Sequence, residues 1–372
     1  MGRRYLVIGG AGFIGSHLAD ELLRHGHEVR IYDALVPQVH GRPDVWPAYL
    51  SAAVEMLAGD VRDAERLACA LAGVDGVFHL AARVGVGQSM YEIEDYVAAN
   101  EGGTATLLQL LSQRPVERLV VASSMSIYGE GLYRDAEGRT VQTGLRSAAQ
   151  LRAQRWEPQD RARRPLEPIA TPEDKTPDLA SVYALSKYAQ ERMCLIVGEA
   201  YGIETVALRL FNVFGSRQAL SNPYTGVLAI FAARLLNGRR PAVFEDGLQR
   251  RDFVHVKDVA RAFRLAMASP AGRGQAINVG SGRAYTVAEV AHFLAGALGR
   301  PELTPEITGK ARAGDIRHCF ADISRAELLL GFRPAHRLET DLDELVGWLD
   351  GQGAEDRVGQ ATAELERRGL VA

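Results

Sequence analysis

The chain opens with a strand pattern that runs into a glycine-rich turn, Tyr5-Leu-Val-Ile-Gly-Gly-Ala-Gly-Phe-Ile-Gly15. Two glycine spacings overlap there, Gly10-x-Gly12-x-x-Gly15 and Gly9-x-x-Gly12-x-x-Gly15. A glycine triad that follows a strand and opens a helix is typical of a dinucleotide-binding turn. Glycine permits a tight turn and close backbone approach, while the helix N-terminus stabilises the charge of a pyrophosphate. The stretch therefore predicts a nucleotide-binding unit.

Short β-branched runs alternate with longer amphipathic segments through the first 130 residues. This alternation predicts a parallel sheet with helices on both faces, the doubly wound α/β arrangement (Rossmann). The predicted strands are 5–8, 28–33, 54–57, 76–80, 118–123, 204–210 and 276–279. The predicted helices are 13–25, 63–72 and 96–113.

Residues 131–178 interrupt this rhythm with many prolines and arginines and no sustained apolar period. We interpret the segment as a polar insertion, and a loop of such length is often a lid or a binding excursion. It has no Cys or His pairs at ligand spacing, so we predict no metal site. The last residues, from Asp350 onward, are expected to form a polar helix or tail.

Asp33 closes the second predicted strand, 18 residues after Gly15. A carboxylate there accepts hydrogen bonds from the adenosine ribose hydroxyls and repels a 2′-phosphate. The following residue, Ala34, begins a stretch with no nearby arginine to receive such a phosphate. The strand end therefore favours NAD over NADP. After the third strand, Asp60 lies either near the adenine or in a plain turn.

Tyr183 and Lys187 are four residues apart in Ser181-Val-Tyr-Ala-Leu-Ser-Lys187. At this spacing on a helix both side chains project from one face. A nearby cation is expected to lower the pKa of the phenol from its usual value near ~10. After a glycine-rich turn, the pair predicts a proton-transfer site beside an oxidised nicotinamide.

Composition bounds the class of protein. Of the 372 residues, 47% are apolar and 24% charged, which is ordinary for a globular protein. The net charge of −3 gives no sign of the excess positive charge that nucleic-acid binding needs. The cysteines Cys69, Cys194 and Cys319 are odd in number and far apart, which fits a reducing cytoplasm without disulfides or zinc. No apolar run is long enough for a membrane span, and Met1 leads straight into a strand, so we expect no signal peptide.

Seven motifs in order give the chain a family resemblance. It resembles the extended short-chain dehydrogenase/reductase family, in its nucleotide-sugar epimerase and dehydratase branch, which includes the UDP-glucose and UDP-glucuronate 4-epimerases. The resemblance covers nearly the whole chain except 131–178. The motifs are Gly9-Gly-Ala-Gly-Phe-Ile-Gly15, Asp60-Val61, His79-Leu-Ala-Ala82, Ser123-Ser-Met-Ser-Ile-Tyr-Gly129, Tyr183-Ala-Leu-Ser-Lys187, Leu208-Arg-Leu-Phe-Asn-Val-Phe-Gly215 and Arg251-Asp-Phe-Val-His-Val-Lys-Asp258.

The resemblance implies an organisation and partners. An NAD-binding Rossmann domain is expected over 1–215, a smaller α/β substrate domain over 216–350 and a tail over 351–372, with the two domains interleaving after residue 200. The expected substrate is a nucleotide-diphosphate sugar carrying UDP or dTDP. We also expect a cytoplasmic homodimer, with no nucleic-acid or membrane partner.

The resemblance also assigns roles to individual residues. Tyr183 would be the general base, Lys187 its electrostatic partner and Ser124 the hydroxyl that contacts the sugar O4. His79 would line the cofactor cleft in a supporting role, as would Asn100. The full set expected to bind NAD is Gly9, Gly12, Phe13, Ile14, Gly15, Asp33, Asp60, Val61, Leu80, Ala81, Ala82, Asn100, Tyr183 and Lys187. The set expected to bind substrate is Ser124, Ser126, Asn212, Arg251, Arg312 and Cys319, the two arginines clamping the diphosphate through bidentate contacts.

Two positions narrow the reaction. In the 4,6-dehydratases of this branch an acidic pair follows the serine or threonine, whereas this chain has Met125 and Ser126. Without an added acid or base, the expected reaction is 4-epimerisation through a transient 4-keto intermediate. The alternatives are a dehydratase or other 4-keto-forming oxidoreductase that takes an acid or base from 131–178, and a non-enzymatic NAD-sensing protein. The last is disfavoured because both Tyr183 and Lys187 are present.

The sugar and its base stay open. Cys319 corresponds to a position where some hexose epimerases carry a bulky tyrosine, so a small residue leaves room for a larger C2 substituent. Arg317 could equally meet a carboxylate at C6, which would make the sugar a uronic acid.

Overall fold

The computed structural model of the chain is built on a parallel sheet between layers of helices. It describes residues 2–41, 45–219, 226–311, 315–350 and 367–368. The strands are β1 (Arg4–Ile8), β2 (Glu28–Asp33), β3 (Glu55–Ala58), β4 (Gly76–His79), β5 (Arg118–Ser124), β6 (Leu132–Arg134), β7 (Thr140–Gln142), β8 (Glu167–Ile169), β9 (Glu204–Leu210), β10 (Asn212–Phe214), β11 (Ala242–Val243), β12 (Arg250–Arg251), β13 (Phe253–His255), β14 (Ala276–Val279), β15 (Tyr285–Thr286), β16 (Glu306–Ile307) and β17 (His318–Cys319).

Helices follow most strands of the first half. The α-helices are α1 (Phe13–Arg24), α2 (Pro37–His40), α3 (Ala64–Leu71), α4 (Val86–Ser89), α5 (Ile93–Tyr96), α6 (Gly103–Gln113), α7 (Ala148–Arg152), α8 (Val182–Tyr201), α9 (Val227–Leu236), α10 (Val256–Ala268), α11 (Val287–Ala297), α12 (Ser324–Leu330) and α13 (Asp343–Asp350). A π-helical turn, Val97–Gly102, joins α5 to α6, and 3₁₀ turns cover Met125–Tyr128 and Pro270–Gly272.

The central sheet has seven strands in the order β14-β9-β5-β4-β1-β2-β3, and every neighbouring pair is parallel. The predicted doubly wound fold is confirmed, and the predicted strands and helices appear close to their expected bounds. The chain winds from β1 out to β3 and then returns to the other side of β1 with β4. At such a reversal the carboxyl ends of the two strands open a crevice, which is where ligands bind in this kind of sheet.

Strand β1 explains why the sheet needs helices on both faces. Its residues alternate between the two hydrophobic cores, with Tyr5 and Val7 in one and Leu6 and Ile8 in the other. Successive side chains of a strand point to opposite faces, so an apolar run without polar residues must be covered on both sides. Helices α1 and α10 cover one face, and α3, α6 and α8 cover the other.

A third core lies in the C-terminal part of the chain. It packs α9, α11 and α13 around buried aromatic residues such as Phe214, Phe231 and Phe253. Next to it, short strands form small sheets, among them β15-β12-β17. The expected division into domains at residue 215 stays a prediction.

The insertion 131–178 contains more regular structure than its sequence predicts. Strands β7, β6 and β8 form an antiparallel sheet, with Leu132 paired to both Gln142 and Ile169. The side chain of Tyr133 is fully buried. Each strand is three residues long, too short to show an alternating pattern in the sequence.

Buried charges tie the insertion to the C-terminal part of the chain. The Arg317 guanidinium is fully buried and contacts Glu157 of the insertion at 2.6 Å, Glu245 at 2.9 Å and Asp246 at 2.6 Å. Together these carboxylates engage all five of its N–H donors. The interpretation of Arg317 as a partner for a sugar carboxylate is therefore wrong, because it has no donor left.

Glu245 also holds a second buried arginine. Arg146 of the insertion donates to both carboxylate oxygens of Glu245, at 2.9 and 2.7 Å, and its side chain is 1% exposed. Among the described residues, Glu245 is the carboxylate that neutralises this guanidinium. Removing one member of a buried pair leaves an uncompensated charge, which is strongly destabilising.

We expect Glu245→Ala to lower the free energy of unfolding by about 3–5 kcal/mol, because Arg146 stays buried without a countercharge. Denaturant unfolding followed by circular dichroism measures the effect. The matched control is Glu327→Ala, whose carboxylate is 47% exposed and 3.9 Å from Arg333. An exposed pair contributes about 0–1 kcal/mol. Equal losses in the two variants would show that the buried cluster does not stabilise the fold.

Candidate active site

The glycine turn is closely packed at Gly9, Gly10 and Gly15 and open at Gly12. Gly9 has a φ of +81°, and a Cβ there would lie 2.7 Å from the backbone nitrogen of Ala81. A Cβ on Gly15 would lie 2.3 Å from the carbonyl oxygen of Gly9. Around Gly12 the nearest atom is that same oxygen, at 3.4 Å. The protein itself therefore tolerates a side chain at Gly12, and glycine there leaves space for an outside group.

The start of α1 faces that space. Gly12 is the N-cap residue and supplies no side-chain oxygen to the first N–H groups of the helix, which begins with Phe13 and Ile14. Unpaired N–H groups and the helix dipole favour an anion. Across the crevice, Leu80 donates its N–H to Ile8 at 2.9 Å, which places Leu80 to Ala82 beside the turn. These features fit the pyrophosphate of a dinucleotide.

Asp33 is in place to meet a ribose. Its carboxylate accepts the N–H of Ala11 at 3.0 Å and that of Leu35 at 2.9 Å, and His40 lies 3.6 Å away. A carboxylate offers about four acceptor sites, so capacity remains for ribose hydroxyls. Its contact with Ala11 also fixes the strand end against the glycine turn, which fits the prediction of a dinucleotide site.

Asp60 closes a turn. Its carboxylate accepts the N–H and the guanidinium of Arg62, at 2.6 to 2.9 Å, and its carbonyl accepts the Tyr32 hydroxyl. The following Val61 packs in the core beneath. This geometry supports the turn interpretation for Asp60, and contact of Asp60 or Val61 with the cofactor stays a prediction.

The predicted Ser124 and Tyr183 come together at the carboxyl end of the sheet. Ser124 is the last residue of β5, and Tyr183 lies in the first turn of α8, which Ser181 caps by accepting the N–H of Ala184 at 3.1 Å. The Tyr183 N–H is held by the Ser89 hydroxyl at 3.0 Å. Burial raises the pKa of Tyr183, and its hydrogen bond with Ser124 offsets part of that rise.

Lys187 is buried and bound to a residue that the sequence reasoning missed. Its Nζ donates to Oε1 of Gln190 at 2.7 Å, and burial lowers the pKa of Lys187 to about 8. The expectation that this cation lowers the pKa of Tyr183 is wrong for this structure. Desolvation of the phenol dominates, and the hydrogen bond that favours its charged form comes from Ser124.

Asn100 supports the wall of the cleft. It is fully buried in the π-helical turn, and its Oδ1 accepts the Arg83 N–H at 2.6 Å. Its Nδ2 donates to the Arg83 carbonyl at 3.1 Å and to the Ser186 hydroxyl at 2.9 Å. Because both amide hydrogens are used, its role here is to join the loop after β4 to α8. A π-helical turn of this kind often marks a functional site.

An ion pair beneath the site holds α8 against the sheet. Arg209 of β9 donates to both oxygens of Glu191, at 2.9 and 2.6 Å, and the Ser123 hydroxyl donates to the same carboxylate at 2.6 Å. Arg209 also donates to the Tyr128 hydroxyl at 2.9 Å. Sequence reasoning missed this pair, although two charged residues inside apolar segments were a signal.

The predicted substrate residues occupy the other side of the site. The Ser126 hydroxyl is buried without a partner in the structure. Asn212 donates from Nδ2 to the Asp252 carbonyl at 2.9 Å. Cys319 is buried, with its Sγ 3.9 Å from the Thr171 hydroxyl. The unpaired hydroxyl of Ser126 is free to meet a ligand.

Arg251 lies beside the same segment. It pairs with Cys319 between β12 and β17, and its guanidinium donates to the carbonyls of Ile316 at 2.6 Å and Arg317 at 2.9 Å. The second predicted clamp residue, Arg312, lies outside the described residues. The clamp as a pair stays a prediction.

Three further findings concern the described part of the chain. No group of three or more histidines, cysteines or acids there is placed to hold a metal ion. No helix in that part has the length and apolar character needed to cross a bilayer. All three cysteines are free thiols, with Cys69 exposed.

The comparisons with known proteins bear directly on this site. The model of the NAD dependent epimerase/dehydratase family matches residues 5–150 and 160–280. The chain belongs to this family. Its cofactor is therefore NAD, as the glycine turn and Asp33 predicted.

Individual members of the family are similar along nearly their full length. The dTDP-L-rhamnose 4-epimerase of Burkholderia thailandensis is 34% identical over 353 residues, which cover 94% of this chain and 95% of that protein. The UDP-glucose 4-epimerase of Thermus thermophilus, solved with NAD, has a TM-score of 0.72 at 31% identity and covers 94% of this chain and 99% of its own. That of Thermotoga maritima, solved with UDP-glucose, has a TM-score of 0.74 at 29% identity, covering 93% and 98%.

Gly12 and Gly15 should separate cofactor binding from stability. We expect Gly12→Ala to melt like the wild type but to lose NAD affinity by at least ~10-fold, because only an outside ligand approaches that position closely. Gly15→Ala should instead lower the melting temperature, because its Cβ meets the Gly9 carbonyl at 2.3 Å. Thermal melts and NAD titration measure both. Unchanged NAD binding by Gly12→Ala would contradict the placement of the pyrophosphate.

Proposed function

We propose that the chain catalyses NAD-dependent 4-epimerisation of a nucleotide-diphosphate sugar through a transient 4-keto intermediate. The observation that carries this proposal is the Ser124–Tyr183 contact at the carboxyl end of β5, with Met125 and Ser126 following in place of an acidic pair. The dTDP-L-rhamnose 4-epimerase and the UDP-glucose 4-epimerases that resemble this chain give further support.

In this proposal Tyr183 removes the proton from the sugar O4, and Ser124 holds that oxygen. NAD, when bound, supplies the acceptor and later the donor of the C4 hydride. Lys187 is charged below a pH of about 8 and supplies a positive charge on the helix face that carries Tyr183. The same tyrosine returns the proton after the keto sugar has turned, so no further acid or base is needed.

Water elimination would need an additional acid or base, and the two residues that follow Ser124 do not offer one. Met125 has no ionisable group, and the Ser126 hydroxyl is too weak an acid for the task. Glu157 of the insertion is engaged by Arg317 and His318, and it keeps a depressed pKa of about 2. These contacts argue against the dehydratase alternative.

For the substrate we propose a neutral sugar rather than a uronic acid, because Arg317 has all its donors engaged. Arg251 and Arg312 would bind the diphosphate with Asn212, and Ser126 a sugar hydroxyl. Cys319 would bound the pocket near C2. The nucleoside of the substrate is uridine or deoxythymidine. One relative is named a dTDP-L-rhamnose 4-epimerase, and one solved neighbour holds UDP-glucose.

We also propose a homodimer that works in the cytoplasm. Large apolar side chains are exposed on the helices next to the site, namely Ile93 and Val97 near α5 and Leu185 and Ile196 on α8. Helix faces of this kind mark protein contacts. The free thiols fit a reducing compartment.

The defining experiment uses a panel of UDP- and dTDP-sugars, read by NMR and mass spectrometry. We expect an equilibrium mixture of two C4 isomers of unchanged mass, with no net consumption of added NAD. A product lighter by one water would reassign the chain to the dehydratases. Absence of any conversion across the panel would remove the enzymatic proposal.

Tyr183→Phe should reduce turnover by at least ~10²-fold, because a positioned base is lost. NAD should remain bound, since the glycine turn is unchanged. Tyr201→Phe, on the same helix but 51% exposed, serves as the matched control and should retain activity. Turnover of Tyr183→Phe near the wild-type rate would rule out the assigned base.

A further inference from the structure

Gln190 makes the closest polar contact of Lys187. The two residues lie three apart on α8, so they share a face of the helix, and Oε1 of Gln190 accepts from Nζ at 2.7 Å. Gln190 is 1% exposed and Lys187 is 3% exposed. A buried ammonium needs an acceptor, and here that acceptor is a neutral amide.

The orientation of the Gln190 amide is fixed from its other end. Its Nε2 donates to the Thr104 hydroxyl oxygen at 2.8 Å and to the Ala81 carbonyl at 3.4 Å. The Thr104 hydroxyl donates its proton to the Asn100 carbonyl at 2.6 Å. Its oxygen can therefore only accept a hydrogen bond from Gln190. A flipped amide would place its oxygen against the oxygens of Thr104 and Ala81 and would turn its N–H groups toward the donor-only ammonium of Lys187. The oxygen of Gln190 must therefore face Lys187.

The ring of His79 lies beside the same groups. Its Nε2 is 2.9 Å from the Thr104 oxygen and 3.3 Å from Nε2 of Gln190. Its Nδ1 is buried without a partner in the structure. Burial, followed by the charge of Lys187, lowers the pKa of His79 to about 3, so this ring stays neutral beside the lysine.

We propose that Gln190 is a positioning residue for Lys187, holding its ammonium in the cleft and keeping it charged without cancelling its positive charge. This inference rests on the proposed function, since it concerns the lysine of the proposed reaction. An ammonium has three donors, so one contact with Gln190 leaves two for ligands.

None of the described charged and titratable groups around Lys187 can replace Gln190 as the acceptor for its ammonium. On α8 they are Tyr183, Glu191 and Cys194, and on β4 the neutral His79. The Glu191 carboxylate is shared with Arg209 of β9, and burial raises the pKa of the Cys194 thiol to about 12. Tyr96 of α5 faces Tyr183 edge-on, with ring centroids 6.5 Å apart. None of these groups among the described residues is an uncommitted anion for Lys187.

Two substitutions of similar shape should move the titration of Lys187 in opposite directions. In Gln190→Met the acceptor is lost, which disfavours the ammonium. In Gln190→Glu a carboxylate replaces it, which favours the ammonium. Charge-assisted hydrogen bonds contribute about 1.5–3 kcal/mol, which corresponds to shifts of about 1–2 pH units. Gln109→Met, at an exposed position of α6, is the control.

The chain has four lysines, so a spectrum of protein labelled with ¹³Cε-lysine holds four signals. The signal that disappears in Lys187→Met belongs to Lys187, and its titration is followed in the NAD-loaded protein. We expect its midpoint to fall in Gln190→Met, to rise in Gln190→Glu and to stay unchanged in Gln109→Met. If Gln190→Met does not fold, the rise in Gln190→Glu carries the test.

The pH profile of kcat/KM is the second reading. Because activity needs charged Lys187, the alkaline limb should move to lower pH in Gln190→Met and to higher pH in Gln190→Glu. If the active variants have the same Lys187 titration midpoint and the same alkaline limb as the wild type, Gln190 does not position the lysine. The proposed function would then still stand. If the titration of Lys187 shifts as expected but the protein converts no nucleotide sugar, the contact between Gln190 and Lys187 is supported and the proposed function is contradicted.

Discussion

The site depends on one ion pair in the interior, between Arg209 and Glu191. Its bidentate geometry joins β9 to α8, and the Ser123 hydroxyl adds the end of β5 to the same carboxylate. Ser124 follows at once in β5, while Tyr183 and Lys187 lie two turns and one turn before Glu191 on α8. A slip of the helix along the sheet would break these bonds inside a low-dielectric core, where unpaired charge is costly. The relative position of the serine and the tyrosine is thus set by a contact that neither of them makes.

Much of the fold follows from sequence because its signals are local. The strands of the central sheet are apolar runs bounded by turn residues, and the glycine turn lies directly between β1 and α1. Ser124 and Tyr183 were both assigned to the sugar O4, and that assignment came from a motif resemblance rather than from periodicity. Asp33 is an example of a locally readable residue. Its carboxylate at the end of β2 accepts a hydrogen bond from the glycine turn and is also placed to bind the cofactor ribose.

What sequence could not supply depends on contacts between distant residues. Gln190 reads as an ordinary helix residue, and its importance arises only when Thr104 and Ala81 meet it from 86 and 109 residues away. Arg317 looked available to a substrate, yet the partners of its guanidinium come from two distant segments, at Glu157 and at Glu245 and Asp246. The pKa of Tyr183 went against expectation for a related reason: spacing places a lysine near the phenol, but it cannot reveal how deeply both are buried.

The insertion has a consequence for how this chain can change. The family match breaks between 150 and 160, and Glu157 lies inside that break. Its carboxylate contacts the side chains of Arg317 and His318, whose backbone N–H groups are held by Glu130. A chimera whose loop lacks an acid at this position would remove one of the anions that contact the buried Arg317 guanidinium. The insertion and the segment around β17 therefore depend on each other for charge balance. Grafting this insertion onto another scaffold requires moving both together.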